Sequence, residues 1–234
     1  MAMIVLLIVI CLLLSKTCFS RYVIAADAGT ESCRSAIFDI TTGQCIKSVS
    51  IPYKSGTTYP KPGYAEQSPA DWWNALGEGC RKAIEDSNID ANEIKSICVD
   101  TTACSVVALD SDYNPIRPCL LWMDTRAANQ CIEILEKGNG DDALFVNCNK
   151  KGPLSAEWMI PKALWIKQNE PDVWTNAKYV CEKQDYINYK LSGVYCASGC
   201  NVGARWHWNA QNAETGVEGR PISCLLYTSD AADE

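Results

Sequence analysis

The chain has 234 residues, 47% hydrophobic and 21% charged, with a formal net charge of −7. That composition excludes a disordered chain, and the acidic balance leaves no basic stripe to neutralise nucleic-acid phosphates. One histidine, His207, leaves no histidine-based metal cluster and no Ser-His-Asp triad with a choice of partners.

Ile4 to Leu14 is an unbroken apolar run, closed by Ser15, Lys16 and Thr17. It has the length of a signal-peptide core and is too short to span a bilayer, which takes roughly 20 residues. Cys18 and Ser20 are small residues suited to cleavage after Ser20, but no Lys or Arg precedes the run. A targeting segment over residues 1–20, leading to a plastid or the secretory route, and translated upstream sequence both stay open. No other stretch offers a membrane span.

Tyr22 to Ala26 reads as a short strand, Ser32 to Ile40 as a second, and Cys45 to Tyr53 as a third. Three strands in succession predict an antiparallel meander. Ser68-Pro69-Ala70-Asp71 opens a helix, with Ser as cap, Pro at the first helical position and an acid three residues on. Trp72, Trp73, Leu76, Cys80, Ala83 and Ile84 then recur at helical spacing, and the helix stops near Asn88. Ile94 to Val99, Ser105 to Leu109 and Cys119 to Met123 read as strands. A helix follows from about Arg126 to Lys137. Gly138 to Gly152 is a polar loop with a short helix. Trp158 to Lys167 is a helix stopped by Pro171, Tyr179 to Cys181 a strand, and Asp185 to Leu191 a helix. The order predicts an α/β fold with a mixed sheet running from Tyr22 to about Leu121.

The last residues, Cys224 to Glu234, resemble one reading frame of a sequencing-library transposase adaptor. The expected organisation is therefore a leading segment over 1–20, one truncated domain over 21–223, and an artefactual tail over 224–234. Three of the fourteen cysteines, Cys11, Cys18 and Cys224, fall in the end segments. The rest are odd in number and form no C-x-x-C pair, and there is no Asn-x-Ser/Thr sequon. They read as buried, reduced small hydrophobes rather than a zinc site or a disulfide framework.

The first candidate for chemistry is Asp27-Ala28-Gly29-Thr30-Glu31-Ser32-Cys33-Arg34, in the hairpin between the first two strands. A phosphate needs converging N–H donors, and a glycine permits close backbone approach. Asp27 can hold Mg²⁺, usually through water. Thr30 and Ser32 add hydroxyls and Arg34 fixed positive charge. A plain turn with a surface carboxylate is the alternative. No Walker A loop is present.

This octet resembles the first phosphate loop of the FGGY family of carbohydrate kinases. Four further blocks agree in order: Pro62-Gly63-Tyr64-Ala65-Glu66-Gln67 with Trp72-Trp73; Ile97 to Ser105; Leu120-Leu121-Trp122-Met123-Asp124-Thr125-Arg126; and Glu157 to Lys162 followed by Lys183-Gln184-Asp185-Tyr186. The resemblance runs from about Tyr22 to Asn209. It implies an actin/hexokinase-like (ribonuclease H-like) ATPase fold, with a mixed sheet flanked by helices and incomplete in this chain. It implies an enzyme that transfers phosphate from ATP, with Mg²⁺, to a hydroxyl of a small-molecule sugar or polyol in the cytoplasm, and it allows a homodimer.

The resemblance also implies residue roles. Asp27, Gly29, Thr30, Ser32 and Arg34 serve ATP phosphates and Mg²⁺. Asp100, Thr101, Ala103, Cys104, Glu157 and Arg205 serve the sugar, with Arg205 standing where a lysine is usual. The small pair Ala103–Cys104, where the glycerol-kinase branch carries Arg-Glu, is similar to the ribulokinase branch and implies a pentulose or pentitol substrate. A xylulose- or glycerol-type kinase and a non-catalytic sugar-binding or secreted Cys-rich protein are the alternatives. The family's catalytic aspartate has no match here and is expected further along the gene product, so this chain on its own is expected to be inactive. Trp122 reads as core or as a stacking platform, Asp100 as a strand cap, Glu157 and Lys162 as a helix-surface pair, and His207 as a packed residue.

Overall fold

The computed structural model describes residues 21–138 and 154–199, together with 201, 208–209 and 220–221. The readings of residues 1–20, of 224–234, of the 138–152 loop beyond Gly138, and of Arg205 and His207 lie outside them. The chain forms two compact units: one holds residues up to Pro52 and Asn74–Asp100, the other Tyr53–Trp73 and Thr101 onward.

The first unit contains β1 (Tyr22–Ala28), β2 (Ser32–Asp39), β3 (Cys45–Pro52) and β5 (Ile94–Thr101, up to Asp100), hydrogen-bonded in the order β3-β2-β1-β5. The first three form the expected antiparallel meander, with Tyr22 opposite Asp39 and Asp27 opposite Arg34. Alternation along β1 buries Ile24, Ala26 and Ala28 and exposes Ala25 and Asp27. The buried face meets helix α1 (Pro69–Ser87), which belongs to this unit from Asn74 onward. Ile24, Ile37, Val49 and Ala83 form its core. The helix can lie this close because residue 79 is glycine. A Cβ there would stand 2.8 Å from Ser35 Oγ and 3.3 Å from Ser35 Cβ.

The second unit carries its own sheet. It holds β4 (Glu66–Gln67), β6 (Val106–Leu109), β7 (Cys119–Leu120) and β8 (Tyr179–Glu182), in the order β4-β7-β6-β8 with every pair antiparallel. One continuous sheet from Tyr22 to Leu121 is thus not what forms. The four residues of β6 are all buried and pair with β8, about 70 residues further along the chain, which no local pattern specifies. Helices α2 (Ala128–Gly138), α3 (Met159–Asn169), α4 (Pro171–Asn176) and α5 (Lys183–Ser192) complete this unit, with a short ladder of β9 (Trp208–Asn209) and β10 (Arg220–Pro221). Val106, Leu120, Met159, Ile166 and Cys104 form one core cluster, and Cys131, Ile134, Leu154 and Ile160 another.

All nine described cysteines are free thiols. Five are buried: Cys33, Cys104, Cys119, Cys131 and Cys181. Cys45, Cys98 and Cys196 are exposed, so burial holds for most of them and not for all. Burial pushes the thiols of Cys119 and Cys131 up to about 12 and about 11.

Candidate functional site

In the first unit the loop Gly29–Glu31 joins β1 to β2, as the strand pattern predicts. Asp27 and Arg34 are cross-strand partners, both exposed, on the face of β1 turned away from Ile24 and Ala26. Ser32 Oγ accepts from Ser50 Oγ at 3.3 Å. A Cβ at Gly29 would meet Ser32 O at 3.5 Å and Asp27 Oδ1 at 3.9 Å. The fold itself therefore tolerates a side chain at 29, but that side chain would start in the space beside the Asp27 carboxylate. Asp100 is exposed at the end of β5.

In the second unit, Thr101 to Ser105 leads into β6. Ala103 is exposed, while Cys104 is only 7% exposed and turns its side chain into the core beside Val106, Leu120 and Met159. Of the two small residues expected to line a pocket, Ala103 alone presents its side chain. Cys104 instead has a left-handed backbone, φ 64°, a conformation that L-residues other than glycine adopt rarely. Its N–H donates to Glu182 Oε2 at 2.8 Å, and its carbonyl accepts from Lys162 Nζ at 2.9 Å. The Lys162 ammonium also donates to the carbonyls of Leu121, at 2.6 Å, and Trp122, at 3.3 Å.

Lys162 is therefore no surface partner of Glu157, which is half-buried on the same segment. Both Lys162 and Glu182 are fully buried. Burial brings the Lys162 ammonium down to about 8, against the opposing pull of Cys119, Cys104, Asp124 and Glu157. A signal for this existed: Met159, Lys162 and Ile166 share one helical face, and its other members are core. Trp122 is 38% exposed and is not core.

The Pro-Gly-Tyr-Ala-Glu-Gln block and the Trp-x-Asp-x-Arg block lock onto each other. Asp124, fully buried, accepts from Ala65 N at 2.7 Å and is bridged by Arg126 at 2.8 Å. Arg126 reaches Glu66 at 2.8 Å, and Glu66 in turn meets Arg117 at 2.9 Å. Gly63, at φ 81°, sits in the turn that Tyr64 N closes by donating to Lys61 O at 3.0 Å. Its carbonyl accepts from Thr125 N at 2.8 Å, and a Cβ there would fall 2.9 Å from Thr125 Oγ1. Gln67 accepts from the buried Trp72 indole at 2.9 Å.

The family model for the N-terminal domain of the FGGY family of carbohydrate kinases matches residues 22–214. The chain belongs to the FGGY family of carbohydrate kinases. It is 30% identical to a xylulose kinase of Bacillus subtilis (strain 168) over 178 residues, which are 74% of this chain and 34% of that enzyme. It is 30% identical to Ribulokinase 1 of Staphylococcus saprophyticus over 209 residues, 80% of this chain and 38% of that one. The solved glycerol kinase of Plasmodium falciparum superposes with a TM-score of 0.71 at 16% identity, over 88% of this chain and 40% of that one. The fold is thus the actin/hexokinase-like ATPase fold of FGGY sugar kinases. This FGGY chain spans little more than a third of the length of the curated relatives it matches.

Proposed function

We propose that the protein takes part in ATP-dependent phosphorylation of a sugar or polyol hydroxyl. The observation that carries this reading is the Asp27–Arg34 hairpin, with an exposed carboxylate, a glycine and an arginine in register, inside the stretch that matches the family model. The space beside Asp27 Oδ1 that a Cβ at residue 29 would enter suits a hydrated cation or a phosphate oxygen. Asp27 would hold Mg²⁺, which when bound neutralises charge on the terminal phosphates of ATP. Gly29 and Thr30 donate to phosphate oxygens, Ser32 and Thr30 offer hydroxyls, and Arg34 adds a fixed positive charge. Phosphoryl transfer asks mainly for such positioning and charge stabilisation. No residue of this chain is assigned the role of base. An enzyme that consumes ATP fits the cytoplasm, and among the described residues no helix is long and apolar enough to cross a membrane.

We read the substrate as a pentulose or pentitol. Asp100 and Thr101 bond its hydroxyls, Ala103 leaves room for its chain, and Glu157 and Arg205 add polar contacts. Cys104 contributes by shaping the loop, since its side chain is core and its N–H and carbonyl bond Glu182 and Lys162. The 30% identity to both a xylulose kinase and a ribulokinase favours a five-carbon ketose without choosing between them. The test is a coupled ADP-release assay of the complete gene product with ribulose, ribitol, xylulose and glycerol. Preference for a pentulose or pentitol supports the reading, and preference for glycerol overturns the assignment of Ala103.

A further inference from the structure

We propose that Lys162 and Glu182 are positioning residues that clamp Cys104 from both sides of its backbone and so fix the substrate loop, Thr101 to Ser105, in its left-handed turn. This rests on the sugar-kinase reading of that loop and goes beyond it in naming what holds the loop.

The loop carries no glycine, although one of its residues has a backbone that glycine adopts more readily. Within the loop, Thr101 Oγ1 donates to Thr102 O at 3.3 Å, and the Cys104 side chain packs in the core. Thr102 Oγ1 and Ser105 Oγ are buried with no hydrogen-bond partner among the described residues. What meets the loop instead is charge brought in from distant elements. Glu182, at the end of β8, accepts the Cys104 N–H at 2.8 Å, and the next residue, Lys183, donates its own N–H to Ser105 O at 3.1 Å. Lys162, on the first turn of α3, takes the Cys104 carbonyl at 2.9 Å.

The same ammonium gathers the carbonyls of Leu121 and Trp122, so one buried charge ties the substrate loop to the Trp122 segment. A buried ion directed at backbone groups is costly to desolvate, and its hydrogen bonds to carbonyls specify geometry that an apolar side chain could not. Ala103, the exposed member of the loop, is oriented by the peptide bond next to this clamp.

The test uses the complete gene product and separates sugar affinity from ATP affinity. Lys162→Met should raise KM for the preferred sugar about tenfold, the loss expected for charge-assisted hydrogen bonds, with KM for ATP within about twofold of wild type. Cys104→Gly lowers the cost of the left-handed turn, so adding Lys162→Met to Cys104→Gly should raise sugar KM by less than about threefold. Should Lys162→Met not fold, Lys162→Arg and Glu182→Gln carry the same comparison, each again with and without Cys104→Gly. A rise in sugar KM that glycine at 104 relieves supports the clamp. An equal rise in both KM values, or the same penalty in both backgrounds, overturns it. A wild-type protein that phosphorylates no sugar overturns the kinase reading itself, and the clamp's role with it.

Discussion

The guanidinium of Arg126 lies 3.8 Å from the ring centroid of Tyr64 while it holds Glu66 at 2.8 Å. Two blocks about 60 residues apart in the chain are thereby joined through a side chain that is 1% exposed. Trp165 covers the same guanidinium at 4.8 Å, and Asp124, fully buried, shares its charge. The planar fork serves two carboxylates and two aromatic faces at once, which an ammonium cannot do.

Arg126→Ala leaves the Asp124 charge buried without its main counter-ion. Equilibrium urea unfolding should show a loss of about 3 kcal/mol, the usual cost of breaking a buried pair from one side. Arg126→Lys should recover less than half of that loss. A change within about 0.5 kcal/mol for Arg126→Ala would mean the network is not holding the two blocks together.

Gly79→Ala forces a methyl against Ser35, whose Oγ would be 2.8 Å away. Ser35 is fully buried in β2 and cannot swing into solvent. We expect a loss of about 1–3 kcal/mol, as for other overpacked cores. Ser35→Ala in the same chain removes the nearer atom and should restore part of it. Full additivity of the two substitutions would contradict the close approach of α1 to β2.

Some of this architecture was legible and some was not. Helix α1 announced itself through Ser68-Pro69-Ala70-Asp71 and the Trp72, Leu76, Cys80, Ala83 spacing, because its signals are local. The Asp71 carboxylate accepts from Ser55 N at 2.7 Å. The β1–β2 hairpin was legible for the same reason. The division into two sheets was not, since it depends on β6 choosing β8, a pairing that only the folded chain reveals. The surface reading of Lys162 fails because lysine is rarely fully buried without a compensating partner, and here the partners are backbone carbonyls that carry no sequence signature. Cys104 read as a pocket residue because its size was visible and its left-handed backbone was not.

The buried lysine makes stability depend on pH in a defined direction. Lys162 ionises at about 8 in the fold against 10.5 in its ordinary state. Below about pH 8 both states carry the proton and the residue adds no pH dependence. Between about 8 and 10.5 the unfolded chain binds more protons, so rising pH favours the fold. Cys119, raised from 9.0 to about 12, works the other way above 9. The groups facing the ammonium are Cys104, Cys119, Asp124 and Glu157. The difference in unfolding free energy, wild type minus Lys162→Met, should therefore grow by about 2 kcal/mol from pH 7.5 to 9.5. A difference that is flat or shrinks over that range would contradict the assignment.

The most direct measurement of the central claim is sugar-dependent ADP release by the complete gene product, wild type against Asp27→Ala. Wild type should turn over with a pentulose or pentitol. Asp27→Ala should lose at least about 100-fold in kcat, the scale of removing one preorganised electrostatic group at a reacting phosphate. Calorimetric binding of the sugar should survive in that variant, because Asp27 is assigned to the phosphates alone. Wild-type turnover in Asp27→Ala, or no sugar-dependent ADP release from the wild type, would contradict the account.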